Sequence, residues 1–353
     1  MHILIVNFII LLILGCICSF PRPTRQKTTF FMGISAILLL FLRTFVNIQS
    51  VPDLEPYSWG YDQLKDIAFF KISVADINYV KIPEIGFRYL MKLGAYISSS
   101  FTFFLFVYGI LWIGGYLKII MTYSPYVILS IIMLTIGPYN QSIFVIRQHL
   151  AMLVVFLSYK YIIDKKIWKY LVMILLAYSI HQTAIIALPL YFLYHVQGTK
   201  KTVLAILGIA LFMFFSFSYL LVNVGSEIMQ GYSSYINSDA RTNATGAILM
   251  AFELAIYICT LKKHVLDNGI NKILFLSLVI GLILSICGIG FNPTGRLVMY
   301  YSSISFLAVP IIAKNTKIPY IRNIIVFIFI SLYAYMAFCG SGFDSLLNFK
   351  IDL

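Results

Sequence analysis

The chain is 353 residues long, 61% hydrophobic and only 11% charged, with a formal net charge of +13. Soluble domains carry roughly 25% charged residues, so this composition excludes a soluble globular protein. It predicts an all-α integral membrane protein, because a helix satisfies all the backbone hydrogen bonds of a single segment in lipid.

Apolar segments recur along the whole chain, and each is long enough to cross the roughly 30 Å hydrocarbon layer as a helix. We predict about twelve spans, some short or broken, in a single polytopic membrane domain over residues 1–353. The predicted spans are 3–20, 29–47, 101–122, 124–138, 142–163, 167–181, 183–197, 202–224, 246–262, 271–290, 297–313 and 321–339.

The net charge becomes an orientation signal once the basic residues are placed on these spans. With the N-terminus outside, most lysines and arginines fall in alternate connections, including Lys165-Lys166 and Lys200-Lys201. Basic residues gather on the cytoplasmic side of membrane proteins, so these connections are expected to face the cytoplasm. The segments from about 48 to 100 and from about 225 to 245 then face outside. The charge is explained by the bilayer, and no nucleic-acid partner is predicted.

The first outer segment contains a second periodic pattern, in residues 84–97. One face carries Ile85, Tyr89 or Leu90, and Leu93, and another carries Glu84, Arg88 and Lys92. This spacing predicts an amphipathic helix that lies on the outer membrane surface.

Four ionisable residues are predicted at the outer ends of helices: Arg43, Arg147, His181 and Arg296. An arginine at the centre of a membrane helix costs roughly 2.5 to 3.5 kcal/mol on insertion scales, and less near the rim. A single arginine there is explained equally well by contact with lipid headgroups. Four such residues from separate parts of the chain favour a shared task, the binding of a phosphate or carboxylate ligand.

His181 and Asp53 each have more than one explanation. His181 lies beside Gln182 and Thr183 at a helix break, where it acts either as an acid or base or as a buried neutral imidazole. Asp53 either pairs with Arg43, orients a ligand hydroxyl or is a solvated loop acid. His149 follows Arg147 and Gln148 and is expected to face the headgroups.

Five motifs follow one another along residues 40 to 305. They are Arg43 ahead of Asp53-x-x-x-Tyr57; Glu84-x-Gly86-Phe87; Ile146-Arg147-Gln148-x-Leu150-Ala151; Lys165-Lys166 followed by Ala177-x-x-x-His181-x-Thr183-Ala184; and Arg296-Leu297-x-x-Tyr300-Tyr301. In this ordered set the chain resembles the EpsG-like membrane proteins of bacterial exopolysaccharide and O-antigen gene clusters, which are grouped with Wzy-type polymerases.

The resemblance implies a membrane glycosyltransferase of GT-C-like architecture in the bacterial cytoplasmic membrane. Such a protein joins oligosaccharide repeat units carried on undecaprenyl pyrophosphate, with its active site facing outside. Its partners are the lipid-linked donor and acceptor, the bilayer and a chain-length regulator protein. No nucleotide-binding fingerprint or Asp-x-Asp motif is present, so neither a cofactor nor a metal is predicted.

On this basis, specific residues are expected to hold the donor and to activate the acceptor. Arg147 and Arg296, helped by Arg43 and Arg241, bind the pyrophosphate and stabilise it as a leaving group. His181 or Asp53 deprotonates the acceptor hydroxyl. The remaining residues expected at the substrate are Gln148, Tyr57 and Tyr300.

Two other functions are open from the sequence. A lipid-linked oligosaccharide flippase or other transporter predicts ionisable groups through both leaflets, and here they favour one side. A membrane O-acyltransferase also uses one membrane histidine, but it takes its donor from the cytoplasm.

Overall fold

The computed structural model describes residues 2–51, 53–72, 84–197, 244–267, 269–287, 294–339 and 349–352, together with residues 201, 204, 208 and 212. Within these ranges the regular structure is helical. The described residues form a single isolated antiparallel bridge, between Val46 and Ile351. The predicted all-α class is therefore confirmed.

The α-helices are α1 (His2–Ser19), α2 (Arg25–Thr44), α3 (Leu54–Asp66), α4 (Ile85–Ile97), α5 (Phe101–Tyr123), α6 (Val127–Leu134), α7 (Asn140–Phe144), α8 (Ile146–Leu157), α9 (Tyr159–Ile163), α10 (Ile167–Ile180), α11 (Pro189–His195), α12 (Thr245–Leu261), α13 (Ile270–Cys287), α14 (Thr294–Ser302), α15 (Ser305–Asn315) and α16 (Pro319–Cys339). A π-helical segment, Thr135–Tyr139, joins α6 to α7. The 3₁₀ segments are Ile48–Ser50, Phe69–Lys71, Gln182–Ala187 and Lys262–Leu266.

Several helices have the length and hydropathy of membrane spans. Among the described residues, the five that qualify are Arg25–Thr44, Phe101–Tyr123, Val127–Phe144, Gly295–Asn315 and Pro319–Cys339. Four further apolar helices are shorter: Ile3–Ser19, Ile167–Ile180, Thr245–Leu261 and Ile270–Ile286. The membrane class is supported, whereas the total of about twelve spans and the GT-C-like architecture stay predictions. The predicted span 202–224 and the outer segment 225–245 fall almost wholly outside the described residues.

The chain divides into two compact units. The first comprises Met1–Leu157, Leu175–Gln182 and Ser305–Leu353, and the second Ser158–Ile174 and Thr183–Ile304. In the first unit α2 packs on α5, α6 on α15, and α3 on α4. In the second unit α13 packs against both α12 and α14. The single polytopic domain of the sequence analysis stays a prediction.

A proline and a helix break together position Arg147. The sequence predicts a turn between spans ending at 138 and beginning at 142, but the structure continues through Pro138 as a π-helical segment. A wider turn accommodates a residue that has no N–H to donate. The helix ends instead at Val145, which has φ −104° and ψ 62°, and α8 begins at the next residue. Arg147 is therefore the second residue of α8.

The amphipathic helix is present as α4, but its polar face points into the protein. Ile85 and Leu93 are exposed, while Phe87 and Lys92 are buried. The Lys92 ammonium donates to the carbonyls of Leu64, at 2.8 Å, and Lys65, at 2.9 Å. These carbonyls end α3 and lack partners within that helix, which explains why a lysine is buried here. The location of α4 on the outer membrane surface stays a prediction.

Candidate functional site

One buried carboxylate joins two of the residues that the sequence singles out. Glu84 directly precedes α4 and is only 5% exposed. Its Oε2 atom accepts a hydrogen bond from Nη1 of Arg147, and its Oε1 atom lies 2.8 Å from Nδ1 of His181. All three residues belong to the first unit. Glu84 is therefore the centre of a buried network that contains an acid, a guanidinium and an imidazole.

Tyr57 in α3 completes this network. Its hydroxyl accepts a hydrogen bond from Nε of Arg147 at 2.6 Å, and the guanidinium carbon lies 5.4 Å from its ring centroid. The ring of Phe87 packs edge-on against Tyr57, with the centroids 5.7 Å apart. A guanidinium also carries N–H groups on Nη2, so the contacts with Tyr57 and Glu84 do not use all of its donors. The Arg147 side chain is 17% exposed.

Gly86 permits the close approach that brings Glu84 to His181. A Cβ atom on Gly86 would lie 2.3 Å from Oγ and 2.7 Å from the carbonyl oxygen of Ser179. Atoms do not approach so closely without displacement of the backbone. Gly86 lies two residues after Glu84, and Ser179 lies two residues before His181. The close contact between Gly86 and Ser179 therefore holds Glu84 within hydrogen-bonding distance of His181.

The charges of the network stabilise an ionised Glu84. Burial by itself would raise the pKa of Glu84, but the hydrogen bond with His181 and the charge of Arg147 outweigh it and hold that pKa below its usual range. Burial raises the pKa of Tyr57, so its hydroxyl keeps its proton at neutral pH. A carboxylate at Nδ1 favours the His181 tautomer with the proton on that nitrogen and the lone pair on Nε2.

Asp53 and Arg43 do not form the pair that the sequence suggests. Asp53 is exposed just before α3, where its charge acts on Tyr57. Arg43 is 1% exposed and donates to the hydroxyl of Ser142. Its guanidinium carbon lies 4.9 Å from the ring centroid of Tyr108 and 5.9 Å from that of Tyr139. Contact with headgroups, one explanation open for any single arginine, is therefore wrong for Arg43.

The two residues after Arg147 are fully buried. Gln148 and His149 have no exposed surface, and the imidazole of His149 lies 6.5 Å from the ring of Trp112. The expectation that His149 faces the headgroups is wrong, because α8 packs this side against α5.

Arg296 and Tyr300 lie in the second unit, on α14. Arg296 is half-buried, whereas Tyr300 is buried and its hydroxyl accepts a hydrogen bond from Thr183 at 3.3 Å. Arg241 lies outside the described residues. A pyrophosphate site shared by Arg147, Arg296 and Arg241 stays a prediction.

Sequence reasoning missed Glu84 as a site residue. It placed Glu84 on the polar face of α4 and in a matched motif, but gave it no chemical role. Asp53 and Glu84 are the two carboxylates at the matched positions of these motifs, and this was the available signal. In the described part of the chain, no three His, Cys, Asp or Glu side chains are grouped so that they could hold a metal ion.

The described helices and the Glu84 network define the class of protein. It is an all-helical membrane protein in which a carboxylate–imidazole pair, Glu84 and His181, lies beside the guanidinium of Arg147. The family model described as the EpsG family matches residues 29–349, and the chain belongs to this family. It is a membrane protein of polysaccharide biosynthesis, from a family associated with glycosyltransferase-like polymerases. Comparison with curated proteins and with solved structures gives no significant match.

Proposed function

We propose that the protein is a bacterial surface polysaccharide polymerase. It joins oligosaccharide repeat units carried on undecaprenyl pyrophosphate at the outer face of the cytoplasmic membrane. The observation that carries this proposal is the contact of Glu84 with both His181 and Arg147. Transfer of a glycan between lipid carriers needs a base for the acceptor hydroxyl and a cation for the departing pyrophosphate. The network holds one of each.

His181 is the proposed general base. Its Nε2 lone pair takes the proton of the acceptor sugar hydroxyl as that oxygen bonds to the anomeric carbon of the donor. The imidazolium that forms is stabilised by the Glu84 carboxylate at Nδ1, which also fixes the orientation of the ring. A positioned base contributes roughly 10²- to 10⁴-fold to the rate. Asp53 is the weaker candidate, because it is exposed and lies just before α3.

Arg147 is the proposed ligand of the leaving group. Negative charge grows on the pyrophosphate as the glycosidic bond breaks, so a fixed cation stabilises the transition state more than the ground state. Glu84 partly compensates the charge of Arg147, but together with Tyr57 it also holds the guanidinium in one orientation. We expect Nη2 to contact the phosphate oxygens. Arg296 is proposed as a second cation.

The test is the length of surface polymer in cells that carry Arg147→Ala, Arg147→Lys or His181→Ala. We expect each strain to lose long-chain polymer and to display single repeat units outside. Arg147→Lys keeps the charge but lacks the planar fork that contacts Tyr57 and Glu84 together. His264→Ala is a matched control, since His264 is exposed and pairs with nearby Asp267 at 2.7 Å.

Two results would contradict the proposal. Long-chain polymer at normal protein level in the Arg147→Ala strain removes the role given to that residue. Repeat units that are trapped inside a deletion strain would instead indicate a flippase.

A further inference from the structure

The second unit contains a basic cavity that takes no part in the proposed reaction. Its volume is about 380 Å³, and it is lined by Lys165, Tyr191, Tyr194, His195, Gln197 and Lys272. Lys165 follows α9, Lys272 lies in the first turn of α13, and the others belong to the end of α11 or just follow it. We call it the Lys165–Lys272 cavity. Its size suits a small ligand or a lipid headgroup.

The two charged side chains in the described lining of this cavity, Lys165 and Lys272, are both basic. Lys272 is only 6% exposed; its ammonium donates to the carbonyl of Val196 at 3.1 Å and lies 5.2 Å from the ring centroid of Tyr194. Both Lys165 and Lys272 act electrostatically on the imidazole of His195. Among the residues that the structure describes, neither Asp nor Glu lines the cavity. Like charges that converge in a partly buried place favour an anionic ligand.

Lys165 occupies an unfavourable backbone conformation. Its φ is +58°, in the left-handed region, and its N–H and that of Lys166 bond back to Ile162 and Tyr161 at the end of α9. Glycine is the usual residue at such a helix end. A lysine here carries a backbone cost, which is consistent with a use for its side chain.

The surroundings of the cavity are those of a lipid-facing surface. Trp168, three residues after Lys165, is 79% exposed, and Phe192, beside Tyr191, is 50% exposed. Exposed apolar side chains next to basic ones match a phospholipid, whose phosphate lies beside its acyl chains. The basic residues Lys165 and Lys166 also predict that their connection, and the cavity beside it, lie on the cytoplasmic side of the membrane.

We propose that the Lys165–Lys272 cavity binds a phosphate group from the cytoplasmic side, and that this is the phosphodiester of an anionic phospholipid of the inner leaflet. The two lysine ammoniums contact the phosphate oxygens. The acyl chains run along the apolar surface beside Phe192. This site is independent of the Glu84 network and of the proposed polymerisation.

The test is native mass spectrometry of the purified full chain with phosphatidylglycerol or phosphatidylcholine. We expect the wild type to retain phosphatidylglycerol about tenfold more strongly, and each of Lys165→Met and Lys272→Met to weaken its retention about fivefold. Lys272→Arg keeps the charge and should retain the lipid. Because Lys165 is exposed, Lys165→Met remains informative if Lys272→Met fails to fold.

Lys166→Met is the matched control. Lys166 is the next residue in the same connection, is exposed and pairs with Asp164 at 3.0 Å, so the net charge changes equally while the cavity is untouched. Equal retention of phosphatidylglycerol by wild type and Lys165→Met would overturn the proposal. Saturable binding of glycerol 3-phosphate or inorganic phosphate, with no preference between the lipids, would overturn the lipid source in favour of a soluble phosphate.

Discussion

Nδ1 of His181, at the end of α10, lies 2.8 Å from Oε1 of Glu84, at the start of α4. The two residues are 97 positions apart in the chain, and both are buried. The same carboxylate accepts a hydrogen bond from Arg147, so a change at Glu84 affects the proposed base and the proposed phosphate ligand together. The first three predictions below follow from this relationship.

Glu84→Gln should abolish long-chain polymer. The amide keeps the size of the side chain but removes the charge that stabilises a His181 imidazolium, and it leaves Arg147 without its counter-ion. We expect a fall in polymerisation of roughly 10²-fold or more, and a loss of stability of about 3 kcal/mol from the broken buried pair. Polymer length in cells and thermal unfolding of the purified protein measure the two effects.

Glu55→Gln is the control for this substitution. Glu55 is the second residue of α3 and is half-buried, so the same chemical change is made outside the network. Unchanged polymer in the Glu84→Gln strain would show that the Glu84–His181 contact has no part in the reaction.

Gly86→Ala should separate α4 from the end of α10. The new methyl group would lie 2.7 Å from the carbonyl oxygen of Ser179, and backbone cannot move aside as a flexible side chain can. We expect a loss of about 1–3 kcal/mol from overpacking and a loss of polymer. Gly114→Ala is the control, since a Cβ there has nothing within 4 Å, and it should leave unfolding unchanged or shift it upward. A Gly86→Ala protein with normal stability and polymer would contradict the close approach.

The stability of the protein should depend on Glu84 at low pH. The folded protein holds the pKa of Glu84 below its usual range, so the ionised carboxylate stabilises the fold above the ordinary value of about 4.3. This stabilisation is lost as the pH falls through the folded pKa, because the unfolded chain binds the proton first. We expect the difference in melting temperature between wild type and Glu84→Gln to shrink as the pH is lowered from 7 to below 4. A difference that stays constant over this range would contradict the ionised state of Glu84.

Arg43→Lys should destabilise the first unit although the charge is kept. The guanidinium bonds Ser142 and lies over the ring of Tyr108, whereas a compact, strongly hydrated ammonium fits neither contact as well. We expect a loss of roughly 1–2 kcal/mol, measured by thermal unfolding. Arg25→Lys, on the same helix but exposed at its first residue, should have no effect. Equal melting of the two variants would show that the Arg43 contacts add no stability.

Much of the fold follows from local patterns. Apolar runs such as Phe101–Tyr123 predict their helices because every backbone group in lipid must bond within its own segment. The spacing of Ile85 and Leu93 predicts α4 in the same way, since it depends on residues within two or three turns. The local spacing does not predict the partners of the polar face of α4: Lys92 is buried because the end of α3 offers it two carbonyls.

The sequence by itself determined the membrane class and most of the described helices, and it singled out Arg147 and His181, because an ionisable residue in a membrane helix is costly and therefore conspicuous. Only the tertiary structure decided what those residues touch. Glu84 meets Arg147 and His181 because Gly86 lets α4 pass against Ser179, and Arg43 is buried because Tyr108 and Ser142 enclose it. Such contacts join residues between 63 and 99 positions apart. Their geometry depends on packing between helices, which no local period of the sequence encodes.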